Sequence, residues 1–147
     1  MRFITVQIVQ PALPRYRKPL FDGIASIRSV RLQVDTSARE PFGVKSIRPL
    51  PEYVTSLHRT LIFLRGRIYW QKGLRLSSRL RAGDVLVING NLRYLSSFPL
   101  WLKAALRGVR VVWWGHLRSS TTRRTGLWIR LLLMRAADRC LLYTERE

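Results

Sequence analysis

Asp84-Val-Leu-Val-Ile-Asn89 and Val109-Arg-Val-Val-Trp-Trp114 are two apolar runs that flank a helix-like segment, Ser97-Phe-Pro-Leu-Trp-Leu-Lys-Ala-Ala-Leu106. A second helix-like segment covers roughly Arg123 to Ala137, and a third apolar run, Cys140-Leu-Leu-Tyr-Thr144, follows it. Strands that alternate with helices in this way form a parallel sheet with helices packed on its faces. The runs are apolar throughout, which is typical of strands that are buried on both faces.

The N-terminal part of the chain repeats this pattern. Phe3 to Val9 is rich in β-prone residues and predicts a first strand. A helix is expected to begin near Pro19 and to continue to Ile27, and Val30 to Val34 predicts the next strand. The sequence therefore predicts an α/β fold: one Rossmann-like domain over residues 1–147, with a mostly parallel sheet and helices on both faces.

The last helix-like segment predicts an ordinary sheet-covering helix. Its apolar residues share one arc, and Arg130 lies on the opposite side. The arc that is expected to face the sheet consists of Ile129, Leu132, Leu133 and Ala136.

Composition indicates one basic domain. The chain has 147 residues, of which 47% are hydrophobic, and this is enough for a single core. Its formal net charge is +19, and 23 of its 27 basic residues are Arg, so a polyanion or an anionic membrane surface is the expected partner. Guanidinium groups suit phosphate, although the nucleotide composition of the gene could produce the same Arg bias.

One basic stretch, Leu57 to Leu76, interleaves cations with aromatic residues. Seven Lys or Arg and no acid lie between Glu52 and Asp84. The stretch fits a basic amphipathic surface on an anionic bilayer, with Phe63, Tyr69 and Trp70 at the headgroup level. It fits equally an exposed helix or loop whose apolar side faces the sheet.

Cysteine and histidine usage points away from disulfides and metal centres. Cys140 is the only cysteine and falls in a strand predicted to be buried, so a cytosolic chain without a disulfide is expected. His58 and His116 have no companions at ligand spacing, and no metal site is predicted.

The sequence contains no run of about 18 uncharged apolar residues, so no membrane span is predicted. The expected location is cytoplasmic, or peripheral at the inner face of the plasma membrane.

The loops after the predicted strands carry the candidate site, because open α/β sheets bind ligands at the carboxyl ends of their strands. The first loop places Arg15, Tyr16 and Arg17 ahead of a helix N-terminus, which predicts either a phosphate or acceptor site or a solvated basic loop. Asn89 and Gly90 end the apolar run that begins at Asp84. They predict either a site where the backbone approaches a ligand closely or a plain turn. His116 follows Gly115 at a strand tip, where it is expected either to face the cleft as a functional residue or to have a structural role, and Arg118 adds a donor for oxyanions.

Three segments resemble the N-terminal half of the family 4 glycosyltransferases. They are Gln10-Pro to Pro19-Leu-Phe-Asp22, Trp113-Trp-Gly-His116, and Ala136-Ala-Asp-Arg-Cys-Leu-Leu-Tyr-Thr-Glu145. The resemblance implies the GT-B arrangement of two facing Rossmann-like domains and sugar transfer from a nucleotide-sugar donor, with retention and without a metal or other cofactor. It also implies that the N-terminal domain binds the acceptor, for example a lipid-linked or cell-envelope glycan.

The same resemblance assigns roles to residues. His116 corresponds to the cleft histidine near the transferred sugar, and the Arg15 to Arg17 loop to the first-strand loop that faces the donor diphosphate. Thr144 and Glu145 correspond to the end of the last strand, which borders the cleft. This chain has a proline-rich first loop where family members commonly have glycines.

The expected activity depends on a second lobe. A C-terminal donor domain is expected to be absent from residues 1–147, so the chain is expected to be inactive unless a donor domain or partner chain completes it. The alternative is a basic nucleic-acid- or anion-binding module without catalytic activity, although no recognition-helix, RNP or zinc pattern occurs. Another Rossmann-type nucleotide-binding protein is a third hypothesis, and the sequence contains no glycine-rich fingerprint for it.

Overall fold

The structure is a computed structural model that describes residues 2–38, 43–116 and 124–142, with the backbone alone for residues 124–126. That part of the chain contains seven strands and three α-helices. The strands are β1 (Ile4–Val9), β2 (Val30–Ser37), β3 (Val54–Phe63), β4 (Ile68–Lys72), β5 (Val85–Asn89), β6 (Arg110–Gly115) and β7 (Arg139–Leu142). The helices are α1 (Lys18–Ala25), α2 (Ser97–Leu106) and α3 (Arg124–Ala136). Among the described residues, no α-helix separates the four strands from β2 to β5.

The strands form one sheet in the order β4-β3-β2-β1-β5-β6-β7. Every neighbouring pair is parallel except β3 and β4, which form an antiparallel hairpin. The predicted α/β class, with one mostly parallel Rossmann-like sheet, is confirmed.

Two apolar clusters cover opposite faces of the sheet. On one face, Leu100 and Ala104 of α2 pack with Leu86, Ile88 and other strand residues, and α3 contributes partly buried residues. On the other face, Phe21 of α1 packs with residues of β1, β2 and β5. Helices therefore lie on both faces, as the uninterrupted apolar runs predicted.

The chain reverses its direction of travel across the sheet at β1. From β1 it passes outward to β2 and β3, and from β5 it passes the opposite way to β6 and β7. The loops that leave β1 and β5 at their carboxyl ends therefore diverge and open a crevice between them. In open α/β sheets this switch point is the usual place for a ligand.

The basic stretch Leu57 to Leu76 is a β-hairpin with its trailing loop, so the helical alternative is wrong. Residues 59–63 of β3 pair with 68–72 of β4 in antiparallel register. The hairpin curls back over the sheet, because the N–H and C=O of Tyr69 in β4 bond to Arg93 and Leu95 in the segment after β5. The outer edge of β4 is thus partly closed by this segment.

A buried polar cluster lies between the strands on the inner side of the curled sheet. The Asp35 carboxylate accepts hydrogen bonds from the side chains of Gln7, Thr55 and Ser56. His58 Nε2 lies 2.9 Å from Ser56 Oγ. Asp35 and His58 are only 5% and 8% exposed, so they depend on partners within the protein. The hydrogen bonds of this cluster supply those partners.

Two expectations about the C-terminal part are corrected. Cys140 is exposed rather than buried, because β7 pairs on one side only, with β6, in the described part of the chain. On α3 the buried arc is rotated by one residue, so that Arg130 lies inward with Leu133 and Met134. Arg130 is accommodated because its Nη1 donates to the backbone carbonyl of His116 at 2.9 Å.

Candidate functional site

A pocket of about 100 Å³ lies at the carboxyl ends of β1 and β5, at the switch point of the sheet. The loop after β1 forms most of its wall, and it is held in place by the segment around Ser46. The Leu13 N–H donates to Ser46 Oγ at 2.9 Å, and the Ile47 N–H donates to the Leu13 carbonyl at 2.9 Å. The described lining residues are Gln10, Pro11, Ala12, Pro14, Tyr16, Arg17, Val44 and Asn89.

Gln10 lines this pocket and carries an unsatisfied buried donor. Its side chain is 1% exposed, and its Oε1 accepts a hydrogen bond from Arg17 Nη1 at 2.6 Å. Because a guanidinium only donates, the amide oxygen must face Arg17 and the amide nitrogen must face away from it. That nitrogen, Nε2, has no hydrogen-bond partner in the part of the protein that the structure describes. A buried N–H₂ without an acceptor costs free energy, which an oxygen atom of a ligand would recover.

Arg17 supplies positive charge at the same place. Its guanidinium carbon lies 5.1 Å from the ring centroid of Trp114 and 5.7 Å from that of Tyr16, so two rings as well as Gln10 fix its position. Arg17 also precedes the first residue of α1, whose N-terminus has no side-chain cap and no acidic residue in its first turn. The guanidinium favours an anion, and the dipole of α1 adds to this, although the Lys18 N–H already donates to the Arg15 carbonyl and Pro19 has no N–H.

The pocket lining carries no negative side chain among the residues that the structure describes. Donors come from Gln10, Arg17 and the Tyr16 hydroxyl, and apolar contacts come from the two prolines and Val44. This combination suits an oxyanion or a polyhydroxylated group that makes both polar and apolar contacts. Tyr16, at 74% exposure, stands at the open side of the pocket.

Asn89 lines the pocket, whereas the neighbouring glycines have a packing role. A Cβ on Gly90 would come within 2.8 Å of Trp113 Cε2, and a Cβ on Gly115 would come within 3.0 Å of Gly90 Cα. The ends of β5 and β6 can approach each other only because both residues lack side chains. Asn89 Oδ1 accepts the Asn91 N–H at 3.0 Å, which stabilises the turn at the rim.

The other predicted site residues are distributed along the same edge or lie outside the described residues. His116 follows β6 directly and is exposed, but it does not line the pocket. Arg15 is exposed in the 3-10 turn Arg15–Arg17. Arg118, Thr144 and Glu145 fall outside the residues that the structure describes. The structure therefore brings Tyr16, Arg17 and Asn89 together in one pocket.

Sequence analysis missed Gln10 as a site residue. A signal was present, because Gln10 is the first polar residue after an apolar strand and two prolines follow it closely. Val44 could not have been found in this way, because it reaches the pocket from a separate segment through tertiary contacts.

In the described part of the chain, no three His, Cys, Asp or Glu side chains are grouped so that they could share a metal ion. Among the described helices, none combines the length and apolar character needed to cross a bilayer. No protein-family model, curated protein or solved structure matches the chain. The pocket and its surroundings are therefore the basis for a functional proposal.

Proposed function

We propose that the chain is the acceptor-side half of a retaining glycosyltransferase, which transfers a sugar from a nucleotide-sugar to an acceptor. A donor-binding lobe, on the same polypeptide or on a partner chain, faces the carboxyl edge of the sheet. One observation carries the proposal: the switch-point pocket combines an unpartnered buried amide, Gln10 Nε2, with the guanidinium of Arg17.

The proposed chemistry uses these groups from one side of the reacting sugar. The Arg17 guanidinium and the dipole of α1 offset the negative charge that builds up on the departing nucleoside diphosphate. Gln10 Nε2 donates to a phosphate or sugar oxygen, and the exposed His116 stands at the rim near the transferred sugar. The proposal involves a nucleotide-sugar as donor substrate and no metal or other cofactor.

Catalysis requires groups on the other side of the sugar as well, because an oxocarbenium-like transition state separates charge across the bond that breaks. We therefore expect residues 1–147 alone to bind ligand weakly and not to turn over. Addition of a donor-binding lobe should produce nucleotide-sugar consumption. Turnover by the isolated chain would contradict this expectation.

Substitution of Gln10 tests the pocket. Gln10→Met keeps the length of the side chain and removes both its unpartnered donor and the oxygen that holds Arg17, so we expect affinity for uridine or guanosine diphosphate to fall at least about tenfold, as loss of one hydrogen bond to a charged group predicts. Isothermal titration calorimetry measures the change. Gln71→Met is the matched control, since Gln71 is also 2% exposed with an unpartnered Nε2 but lies on β4, away from the pocket.

Equal affinities for the wild type and Gln10→Met would contradict the proposed pocket, as would an equal loss in Gln71→Met. Absence of diphosphate binding by the wild type would also count against the donor-facing role.

The second candidate is a basic anion- or nucleic-acid-binding module without catalytic activity, which the net charge of +19 favours. A module of that kind would bind duplex DNA with an affinity that falls steeply with salt. It would not require Gln10, so Gln10→Met should leave its affinity unchanged.

The proposed location is peripheral, at the inner face of the plasma membrane, with a lipid-linked or cell-envelope glycan as acceptor. The β3–β4 hairpin supplies the physical argument for that location.

A further inference from the structure

The β3–β4 hairpin extends past the edge of the sheet that carries the pocket, and its β4 strand contacts the segment after β5 there. β2 pairs with β3 as far as His58, and in the described part of the chain residues 59–63 of β3 then pair with β4 alone. Five residues of strand extend about 15 Å. Because β3 is parallel to β2, this extension leaves the sheet at its carboxyl edge.

The outer face of the hairpin is apolar and uncovered. Residues that lie opposite each other in a hairpin share a face, so Phe63 with Ile68 and Leu61 with Trp70 form one surface. Phe63 and Trp70 are 49% and 41% exposed, and none of the four belongs to either core cluster in the described part of the protein. Leu57, two pairs further along β3, extends the same face.

Cations border this face at both ends. Arg59 lies opposite Lys72 on the same face, and Arg65 and Arg67 lie in the turn at the tip. All four are exposed. The sequence between Glu52 and Asp84 contains no acidic residue that could neutralise them.

The tip turn presents a leucine outward in an uncommon backbone conformation. Leu64, Arg65 and Gly66 have φ values of 49°, 54° and 82°. Left-handed geometry is disfavoured for the first two, since both carry a Cβ. Leu64 is nevertheless 67% exposed at the end of the projection. Strained residues of this kind concentrate at sites that contact ligands or partners.

We infer that the outer face and tip of the β3–β4 hairpin bind an anionic phospholipid bilayer. Phe63, Leu64 and Trp70 enter the boundary between headgroups and acyl chains, and the bordering arginines contact lipid phosphates. Apolar insertion combined with adjacent cations is the arrangement by which peripheral proteins hold such surfaces.

Charge and surface chemistry argue against other occupants of this face. A second copy related by two-fold symmetry would bring two sets of the same cations into one interface, and the hairpin sequence contains no acidic residue to pair with them. Phe63 and Trp70 could stack on nucleic-acid bases, but the aliphatic Leu61, Leu64 and Ile68 beside them suit acyl chains rather than a polar nucleic acid. Pairing of β4 with a foreign strand is hindered because Tyr69 already bonds to Arg93 and Leu95.

The docked hairpin would place the bilayer beside the switch-point pocket, since both lie at the carboxyl edge of the sheet. This consequence rests on the proposed function: an acceptor with a lipid anchor could then present its headgroup to the pocket without leaving the membrane. The membrane contact itself does not depend on glycosyl transfer.

Vesicle co-sedimentation of the full chain tests the inference. We expect binding to phosphatidylcholine vesicles that contain phosphatidylglycerol, and at least tenfold weaker binding to phosphatidylcholine alone. The double variants Phe63→Ser with Leu64→Ser, and Arg65→Glu with Arg67→Glu, should each lower affinity for the anionic vesicles by about tenfold or more. Thermal melts establish that each variant is folded.

Matched controls separate a local contact from general stickiness or net charge. Leu102→Ser with Leu106→Ser removes two exposed leucines of α2, and Arg28→Glu with Arg107→Glu makes the same charge change elsewhere. Both controls should bind vesicles within about twofold of the wild type, which is the difference expected for sites outside the contact. Equal losses in the controls would overturn the inference, and so would tighter binding to duplex DNA than to vesicles at the same salt concentration.

The two proposals can fail separately. Gln10→Met should bind vesicles like the wild type, and Phe63→Ser with Leu64→Ser should bind nucleoside diphosphate like the wild type. A variant that loses vesicle binding but keeps nucleotide binding reports on the hairpin alone. A variant that loses nucleotide binding but keeps vesicle binding reports on the pocket alone.

Discussion

Gly90 lies where the end of β5 meets the Trp113 side chain, and this contact sets how close β5 and β6 can come. A methyl group at Gly90 would lie 2.8 Å from Trp113 Cε2 and 3.1 Å from Cδ1. Trp113 is 2% exposed, so it has little room to move aside. Gly90→Ala should therefore destabilise the protein by about 1–3 kcal/mol, the usual range for overpacking. Chemical denaturation measures this change.

Gly23 is the control for that substitution. It lies in α1, and nothing within 4 Å would meet an added Cβ. Gly23→Ala should raise stability by about 0.5–1 kcal/mol, because alanine favours the helix and reduces the entropy of the unfolded chain. If both variants changed stability in the same direction, the packing explanation for Gly90 would be wrong.

Individual site residues were only partly predictable. Tyr16, Arg17 and Asn89 could be predicted from the sequence, because the ends of strands can be recognised there and ligands bind at the carboxyl ends of parallel strands. Gln10 was not, because its importance comes from a hydrogen bond to Arg17 that leaves the other half of its amide unpartnered. Arg130 was also missed, since burial of a cation depends on a carbonyl that only the folded strand presents.

At the level of elements, Ser96 connects the hairpin to the body of the domain. Its Oγ accepts the backbone N–H of Gln71 at 3.1 Å, and both residues are buried. Ser96→Ala leaves this N–H without its acceptor and should cost about 1–3 kcal/mol. Hydrogen exchange of the Gln71 amide should also accelerate.

Ser78→Ala provides the comparison, because Ser78 is exposed. It should change neither stability nor exchange at Gln71. Unchanged exchange in Ser96→Ala would mean that the contact does not hold β4 in place.

Helix and strand positions followed from the sequence where each element buries an apolar face. Ser97–Leu106 is helical with the expected bounds, and the apolar runs around β5 and β6 are strands within one residue at each end. The β3–β4 hairpin was not recognised, because its apolar residues face outward. Gly66 in its turn and Gly73 after β4 were interpreted as interruptions of a helical pattern. Patterning arguments assume that apolar faces are buried, so an exposed one misleads them.

For the whole molecule, the buried polar cluster predicts how stability depends on pH. Burial lowers the pKa of His58 below its ordinary value of 6.5, although the Asp35 carboxylate and the Lys72 backbone act in the opposite direction. The unfolded chain then binds more protons than the folded one in the window below pH 6.5. The contribution of neutral His58 is complete above this window and is lost as pH falls through it.

His58→Gln removes the titrating group and keeps a donor for Ser56. We expect wild-type stability to fall as the pH is lowered below 6.5, and the variant to show a shallower decline over the same range. Urea unfolding at several pH values measures both slopes. Parallel slopes would show that His58 does not contribute to the acid sensitivity of the fold.

The overall architecture was predictable because alternating buried strands and helices admit few arrangements, and right-handed crossovers reduce these further. The pocket was less predictable. Its far wall comes from the segment around Val44, and the contacts that bring this segment to the loop after β1 exist only in the folded state.

The closure of the sheet beside β4 also bears on self-assembly. Open-ended stacking of sheets into fibres needs two free borders on every molecule, and here Tyr69 already satisfies part of one. Of the borders that the described residues form, β7 is the less protected. Two molecules joined there would form a dimer with both partly closed β4 borders on the outside, so further growth would be hindered.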